Sequence, residues 1–234
     1  VARAEKEAGV TLEVIAPAEE ARLAVVGCGP LFVADAPHAL VFDIGGGATE
    51  LSWVELSGPR PQLIDWVSFP LGVVALTERY GGDEVSAESY AAMVAEAVAA
   101  ATPFAERNAI AAHVAAGRAQ IVGTSGTVTT LAGVNMGLAR YDRSAVDGQW
   151  LAFPAALDIA HQLAQADRAG RAAFGCVGRE RADLVVDGCA NMEAVNRLAP
   201  GETRRDGGRG LREGILFDFA RKRRRKRRRR KKPA

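Results

Sequence analysis

The hydrophobic pattern changes period several times along the chain, and each change marks an element. Residues 1–8 carry a helical spacing that Gly9 closes. "VTLEVIA" (10–16) alternates apolar and polar positions and predicts a strand. "PAEEARLAVVG" (17–27) returns to helical spacing, with Pro17 in the first turn, where a missing N–H costs nothing. "ALVFDI" (39–44), "TELSWVEL" (49–56) and "QLIDWVSF" (62–69) predict three strands joined by tight turns, a mainly antiparallel meander.

Beyond the meander the pattern turns helical. Residues 86–117 are Ala-rich with an interruption predicted near Pro103. "AQIVGTS" (119–125) is a short apolar strand, and "GTVTTLAGVNMGL" (126–138) follows as a helix. Helical stretches are predicted around 152–166 and 180–198, and "GRGLREGILFDFA" (208–220) leads into a last helix. Strands first, then helices with one inserted strand, give an α/β class. No internal repeat or Pro/Ser-rich linker divides the chain.

Composition narrows the class. With 234 residues and 48% hydrophobic positions, the sequence reads as globular. No apolar run is long enough for a membrane span, so no membrane association is expected. Cys28, Cys176 and Cys189 are few, odd in number and far apart, which points to a reducing cytoplasm. The net charge of +2 hides a division. "RKRRRKRRRRKK" (221–232) holds 12 of the 30 Lys and Arg, leaving 18 against 28 acids in the body. Such a block repels itself and is read as a disordered or frayed extension of the last helix. It would bind polyanions through counterion release, with little sequence preference. Its plain alternative is a solvated tail.

Two stretches carry chemistry. In "DIGGGATE" (43–50) three glycines follow the aspartate that ends a buried strand. Without Cβ atoms, Gly45, Gly46 and Gly47 let backbone N–H groups converge on an anion, with Ala48 and Thr49 completing the turn. Asp43 would hold Mg²⁺ rather than touch phosphate, and Glu50, across the turn, could face the same ion. The alternative is a strained hairpin with solvated carboxylates. In "VGTSGTVTT" (122–130), Gly123, Thr124, Ser125, Gly126 and Thr127 again place small residues between a strand and a helix N-terminus, a second anion cradle. Neither stretch has the Walker lysine or the dinucleotide fingerprint. Two cradles about eighty residues apart suggest a cleft that grips a polyphosphate from both sides.

Taken in order, "EVIAPAEEARL", "VFDIGGGATEL", "IVGTSGTVTTLAGV", "RADLVVDG" and "GRGLREGIL" resemble the exopolyphosphatase/guanosine pentaphosphate phosphohydrolase family, over nearly all of residues 1–220. The resemblance implies the actin-like, ribonuclease H-like two-lobed fold. It also implies a Mg²⁺-dependent hydrolase that releases terminal phosphate from polyphosphate or guanosine pentaphosphate. The "EEAR" segment then selects Glu20 as the residue that activates water, and Asp43 and Glu50 match the metal-binding carboxylates. Ala48 stands where the family has Ser, and Asp147 where it has His. The family's opening loop, Asp-Leu/Ile-Gly-Ser-Asn-Ser, has no counterpart here. The expected division is therefore 1–30 as the end of a first lobe, 31–220 as a second lobe, and 221–234 as a basic tail, a truncated form expected as a homodimer. Two rival functions follow: an actin-like kinase or ATPase, and a non-catalytic fragment that binds polyphosphate or nucleic acid.

Overall fold

The glycine-rich hairpin forms where the alternation predicts it. His38–Ile44 (β1) pairs antiparallel with Thr49–Glu55 (β2), which pairs antiparallel with Gln62–Phe69 (β3). On the other side of β1 lie Ala119–Thr124 (β4), parallel to it, and then Thr203–Gly207 (β6), parallel to β4. Gln149–Ala152 (β5) closes that edge antiparallel to β6, giving the order β3-β2-β1-β4-β6-β5. This is a computed structural model; it describes residues 2–230, with side chains from 3 to 223.

Helices cover both faces. Before the sheet come α1 (Ala2–Ala8) and α2 (Pro17–Gly27). Between β3 and β4 lie α3 (Val73–Tyr80), α4 (Ala87–Arg107) and α5 (Ile110–Ala115). After β4 come α6 (Gly126–Asn135) and α7 (Arg143–Val146), and after β5 come α8 (Phe153–Gln165), α9 (Arg168–Ala173), α10 (Gly178–Arg181) and α11 (Val185–Leu198). The last helix, α12, runs Leu211–Arg230. It thus continues through most of the basic block, whose remaining residues, 231 and 232, lie outside the described residues.

The period-2 pattern of β1 sorts its side chains between two cores. Leu40, Phe42 and Ile44 point into the larger one, with Met93, Val94 and Phe104 of α4 and Val186 and Met192 of α11. Ala39 and Val41 point into a smaller one, with Val25 of α2, Cys28 and Leu31. Asp43 belongs to this second face, so the carboxylate at the end of β1 looks toward α2 and not into the large core.

Three expectations are corrected. Residues 10–16 form no strand: Val10, Leu12 and Val14 are half exposed or more, and no strand among the described residues lies beside them. Alternation alone does not make a strand without a ladder to join. The helix is not interrupted at Pro103; α4 passes through it, because burial of Ala97, Ala101 and Phe104 outweighs the lost hydrogen bond. The break falls at Ala109, whose φ of 48° is left-handed. Finally, β5 and β6 appear where no strand is predicted. The sequence of β6, "TRRDG", conceals its burial because Arg204 and Asp206, both fully buried, neutralise one another at 2.8 Å.

One buried acid yields a stability prediction. Asp187 in α11 accepts a 2.6 Å hydrogen bond from the Thr77 hydroxyl, while its second oxygen has no partner among the described residues. Burial pushes its carboxyl up to about 6. An acid raised in the folded state favours folding only while protonated. Stability is therefore lost as pH rises from the unfolded value of ~4 to about 6, and is level above. In urea titrations at pH 4 and pH 7, Asp187→Asn should remove roughly 2–3 kcal/mol of this fall relative to the unaltered chain.

Candidate active site

In sheets with parallel strands, ligands gather beyond the carboxyl ends of those strands. Here β1, β4 and β6 end side by side, in the turn Gly45–Ala48, in Ser125, and in the loop Gly208–Gly210. All three loops line the same cleft.

The glycine turn is held from below. Gly72, Val73 and Val74, at the start of α3, donate to the carbonyls of Gly47, Gly45 and Gly46 at 3.3, 3.0 and 2.8 Å. A Cβ on Gly72 would sit 2.3 Å from the Gly46 oxygen, so only glycine allows this approach. With its carbonyls tied down, the turn leaves the N–H groups of Gly46, Gly47 and Ala48 without a partner among the described residues. Gly46 and Gly47 themselves are neither left-handed nor crowded: a Cβ on Gly47 meets nothing within 4 Å, and one on Gly46 makes only an ordinary contact. The fold therefore does not require glycine at either position. That argues against the strained-hairpin alternative.

The second loop is built differently. Ser125 caps α6, accepting from the Val128 N–H at 3.4 Å, and sits at a φ of 124°. A non-glycine residue held in that region is strained, and such strain concentrates at ligand sites. Gly45, Gly46, Gly126, Thr127 and Arg181 surround a cavity of about 220 Å³ between the two loops. Behind Thr127 stands α11, where a Cβ on Gly188 would lie 2.2 Å from the Thr127 hydroxyl.

Not every predicted residue reaches the cleft. Thr49 is buried, and its hydroxyl donates to the Leu71 carbonyl at 3.0 Å. Gly123 lies inside β4, where the Phe42 ring and Val128 leave no room for a Cβ. Thr124 is buried with its hydroxyl on the Phe42 carbonyl, and it also reaches the Asp43 carboxylate. Thr49 and Gly123 thus serve packing, and Thr124 supports Asp43. Gly45, Gly46, Ser125, Gly126 and Thr127 line the cleft, and Gly47 and Ala48 belong to the same turn.

Asp43, Glu50 and Glu20 are close enough to act on one another's charge. Asp43 and Glu50 are direct partners across the β1–β2 ladder, an arrangement that costs free energy for like charges. Burial raises the Asp43 carboxyl, as does the charge of Glu20. Glu50 is raised by burial and then by Asp43 and Glu20. The fold accepts this repulsion with no cationic side chain paired to Asp43 or Glu50 among the described residues. Among those residues no three His, Cys, Asp or Glu side chains converge to hold a metal by themselves. A Mg²⁺ ion that shares phosphate oxygens needs only one or two carboxylates, and Asp43 with Glu50 fits that donor set.

Glycines also set the position of Glu20. A Cβ on Gly214 of α12 would fall 1.8 Å from the Leu23 oxygen of α2, and one on Gly27 would fall 1.9 Å from the Gly210 oxygen. The two helices therefore touch backbone to backbone and antiparallel, bringing the end of α2 and the start of α12 together beside Asp43.

Asp43 shares its cavity with four arginines, a grouping that is not apparent from local sequence. A cavity of about 420 Å³ is lined by Asp43, Ser125, Arg143, Arg181, Arg209 and Arg212, among others. Arg143 pairs with Glu213 at 2.6 Å, and Arg209 pairs with Asp147 at 2.6 Å. Asp147 also accepts from the Gly208 N–H at 3.2 Å, so the residue that replaces the expected His fastens the loop after β6. Arg181 donates to the Gly126 carbonyl and the Thr130 hydroxyl, both at 2.9 Å, and lies over the Tyr141 ring. Neither Arg181 nor Arg212 has a carboxylate partner among the described residues. One cleft thus holds unneutralised acids, bare N–H groups and unneutralised guanidinium groups.

Comparison with known proteins agrees with this architecture. The model of the Ppx/GppA phosphatase family matches residues 1–223. Among solved structures, an exopolyphosphatase-like protein is 31% identical, with 94% of this chain and 72% of that one covered at a TM-score of 0.78. An exopolyphosphatase from Cytophaga hutchinsonii is 25% identical, with 93% and 68% covered at a TM-score of 0.76. The Aquifex aeolicus member of the Ppx/GppA family, at 24% identity, shares the fold, with 94% and 68% covered at a TM-score of 0.77.

Proposed function

The chain belongs to the Ppx/GppA phosphatase family and has its actin-like α/β fold, and we propose that it is a Mg²⁺-dependent hydrolase that removes the terminal phosphate of a linear phosphoanhydride. The observation that carries this reading is the meeting of opposite charges at the ends of β1, β4 and β6. Asp43, linked by charge to Glu20 and Glu50, shares a cavity with Arg181 and Arg212, and the turn beside it carries the unpaired N–H groups of Gly46 and Gly47.

In this reading the glycine turn and the start of α6 hold phosphate oxygens through backbone N–H groups. Asp43 and Glu50 would hold Mg²⁺, which supplies neutralisation of phosphate charge. Glu20 takes a proton from water as the water oxygen bonds the terminal phosphorus. The bridging P–O bond breaks, and the charge left on the shortened chain faces Arg181 and Arg212. Positioning and electrostatics supply most of the rate, as in phosphoryl transfer generally.

Of the two candidate substrates, inorganic polyphosphate suits this cleft better than guanosine pentaphosphate. Tyr141 is the aromatic side chain among the described residues of the larger cavity, and Arg181 already covers its ring. The larger cavity presents Arg143, Arg181, Arg209 and Arg212 to a phosphate chain and, among its described residues, no uncovered aromatic ring to a base. A cytoplasmic location fits the three unpaired, buried cysteines.

Phosphate release from long-chain polyphosphate and from guanosine pentaphosphate, each with Mg²⁺, tests the proposal. Release from polyphosphate at the higher kcat/KM is expected; a folded chain that releases phosphate from neither would refute it. A second prediction isolates the turn. Gly47→Ala should change stability by less than about 0.5 kcal/mol in urea. It should raise KM at least tenfold, because the new methyl group stands where phosphate approaches. Equal KM values would mean that the turn does not bind substrate.

A further inference from the structure

The basic block is not absorbed by the cleft chemistry, yet it lies on the same helix. α12 begins at the cleft, where Leu211, Arg212 and Glu213 line the larger cavity, and it continues without a break to Arg230. Arg221 follows Arg212 by nine residues, about 14 Å along a helix axis. The start of the helix is fixed to α2 by the Gly214 and Gly27 contacts, so its direction from the cleft is fixed as well.

The charge along this helix is one-sided. Asp218 accepts Arg221 at 2.5 Å and Lys222 at 2.8 Å, and it is the last acidic residue of the sequence. From Arg223 to Lys232 every residue is Lys or Arg, ten in succession with no acid to neutralise them. Phe219 is the last aromatic residue, so the block has no stacking platform for bases. Its chemistry recognises closely spaced negative charge and carries no means of reading a base.

We propose that the basic residues of α12 from Arg223 to Arg230 form a docking arm for inorganic polyphosphate, which holds a distal stretch of the same chain whose end occupies the cleft. The link to turnover rests on the polyphosphate reading of the cleft; the docking itself does not. Two sites on one helix turn the second contact into an intramolecular event, which raises affinity without new contacts at the reacting end. The gain requires a chain long enough to span from Arg212 past Arg221, so a long polyphosphate benefits and tripolyphosphate does not.

The test replaces Arg223 through Arg230 with Gln, a fair helix former, in the full chain and in its Glu20→Gln form. In the Glu20→Gln background, binding of labelled long-chain polyphosphate is followed by fluorescence anisotropy between 50 and 200 mM salt, with tripolyphosphate as the short probe. The arm predicts at least tenfold tighter long-chain binding with the native tail, a steep salt dependence that the replacement flattens, and equal tripolyphosphate affinity. In the Glu20 chain, the ratio of kcat/KM for long over short polyphosphate should fall at least tenfold on replacement. Equal long-chain affinity, or an equal loss for tripolyphosphate, would overturn the proposal. So would single-stranded RNA binding the tail more tightly than polyphosphate with the long-to-short ratio unchanged. Tail-dependent polyphosphate binding without phosphate release from any form would support the arm while refuting the hydrolase reading.

Discussion

Glu20→Gln should abolish phosphate release while leaving polyphosphate bound. The carboxamide keeps the shape of the side chain but cannot take a proton from water, a loss of roughly 10²- to 10⁴-fold in kcat. The structure separates Glu20 from its neighbour. Glu19 is held by Arg22 through two contacts of 2.7 Å, and that hydrogen bonding pulls its carboxyl below the usual range. The charge of Glu20 instead falls on Asp43 and Glu50, inside the cleft. Glu19→Gln is therefore the matched control, with kcat expected within about threefold of the unaltered chain, while its Arg22 pair, a half-exposed one, is worth at most ~1 kcal/mol of stability. Steady-state phosphate release for the three chains, alongside polyphosphate binding, decides the assignment. Equal losses in both variants would show that Glu20 has no special role.

Gly214→Ala should have the second-largest effect, and it acts far from any reacting atom. The added methyl group would fall 1.8 Å from a backbone oxygen of α2, a contact that no rotamer relieves. The helices must separate, at a cost of about 1–3 kcal/mol or more. Activity should fall further than stability explains, because α2 carries Glu20 and α12 carries Arg212. A displacement of about 1 Å can cost on the order of 10²-fold in rate. Urea unfolding, with kcat measured where the variant is still folded, separates the two effects. A variant that loses stability but keeps kcat would mean that the helix contact does not position the site.

The parts of this account that the sequence reveals are those whose physics is local. Alternation marks β1 to β3, three glycines mark the turn, and an apolar strand followed by small residues marks the loop before α6. The arginine grouping is hidden because Arg143, Arg181, Arg209 and Arg212 come from separate elements that meet only when β1, β4 and β6 end together. β6 is hidden because a buried ion pair, Arg204 with Asp206, looks like surface in a sequence. Thr49, Gly123 and Thr124 show the converse. Each lies inside a motif, yet the Thr49 and Thr124 side chains are buried and Gly123 is enclosed by Phe42 and Val128, so adjacency in a motif does not imply exposure to the cleft. Glu19 and Glu20 are equivalent first-turn acids by position; the family resemblance singles out Glu20, and the Arg22 contact that occupies Glu19 adds a structural difference between them.

The central claim is that the two glycine loops and the three carboxylates form one site for metal-bound phosphate. It is tested most directly by calorimetric titration of tripolyphosphate into the Glu20→Gln chain, first with Mg²⁺ and then with a chelator. The account predicts saturable one-to-one binding that Mg²⁺ strengthens at least tenfold and that Gly47→Ala weakens. Binding indifferent to Mg²⁺, or no binding by the folded chain, would contradict it.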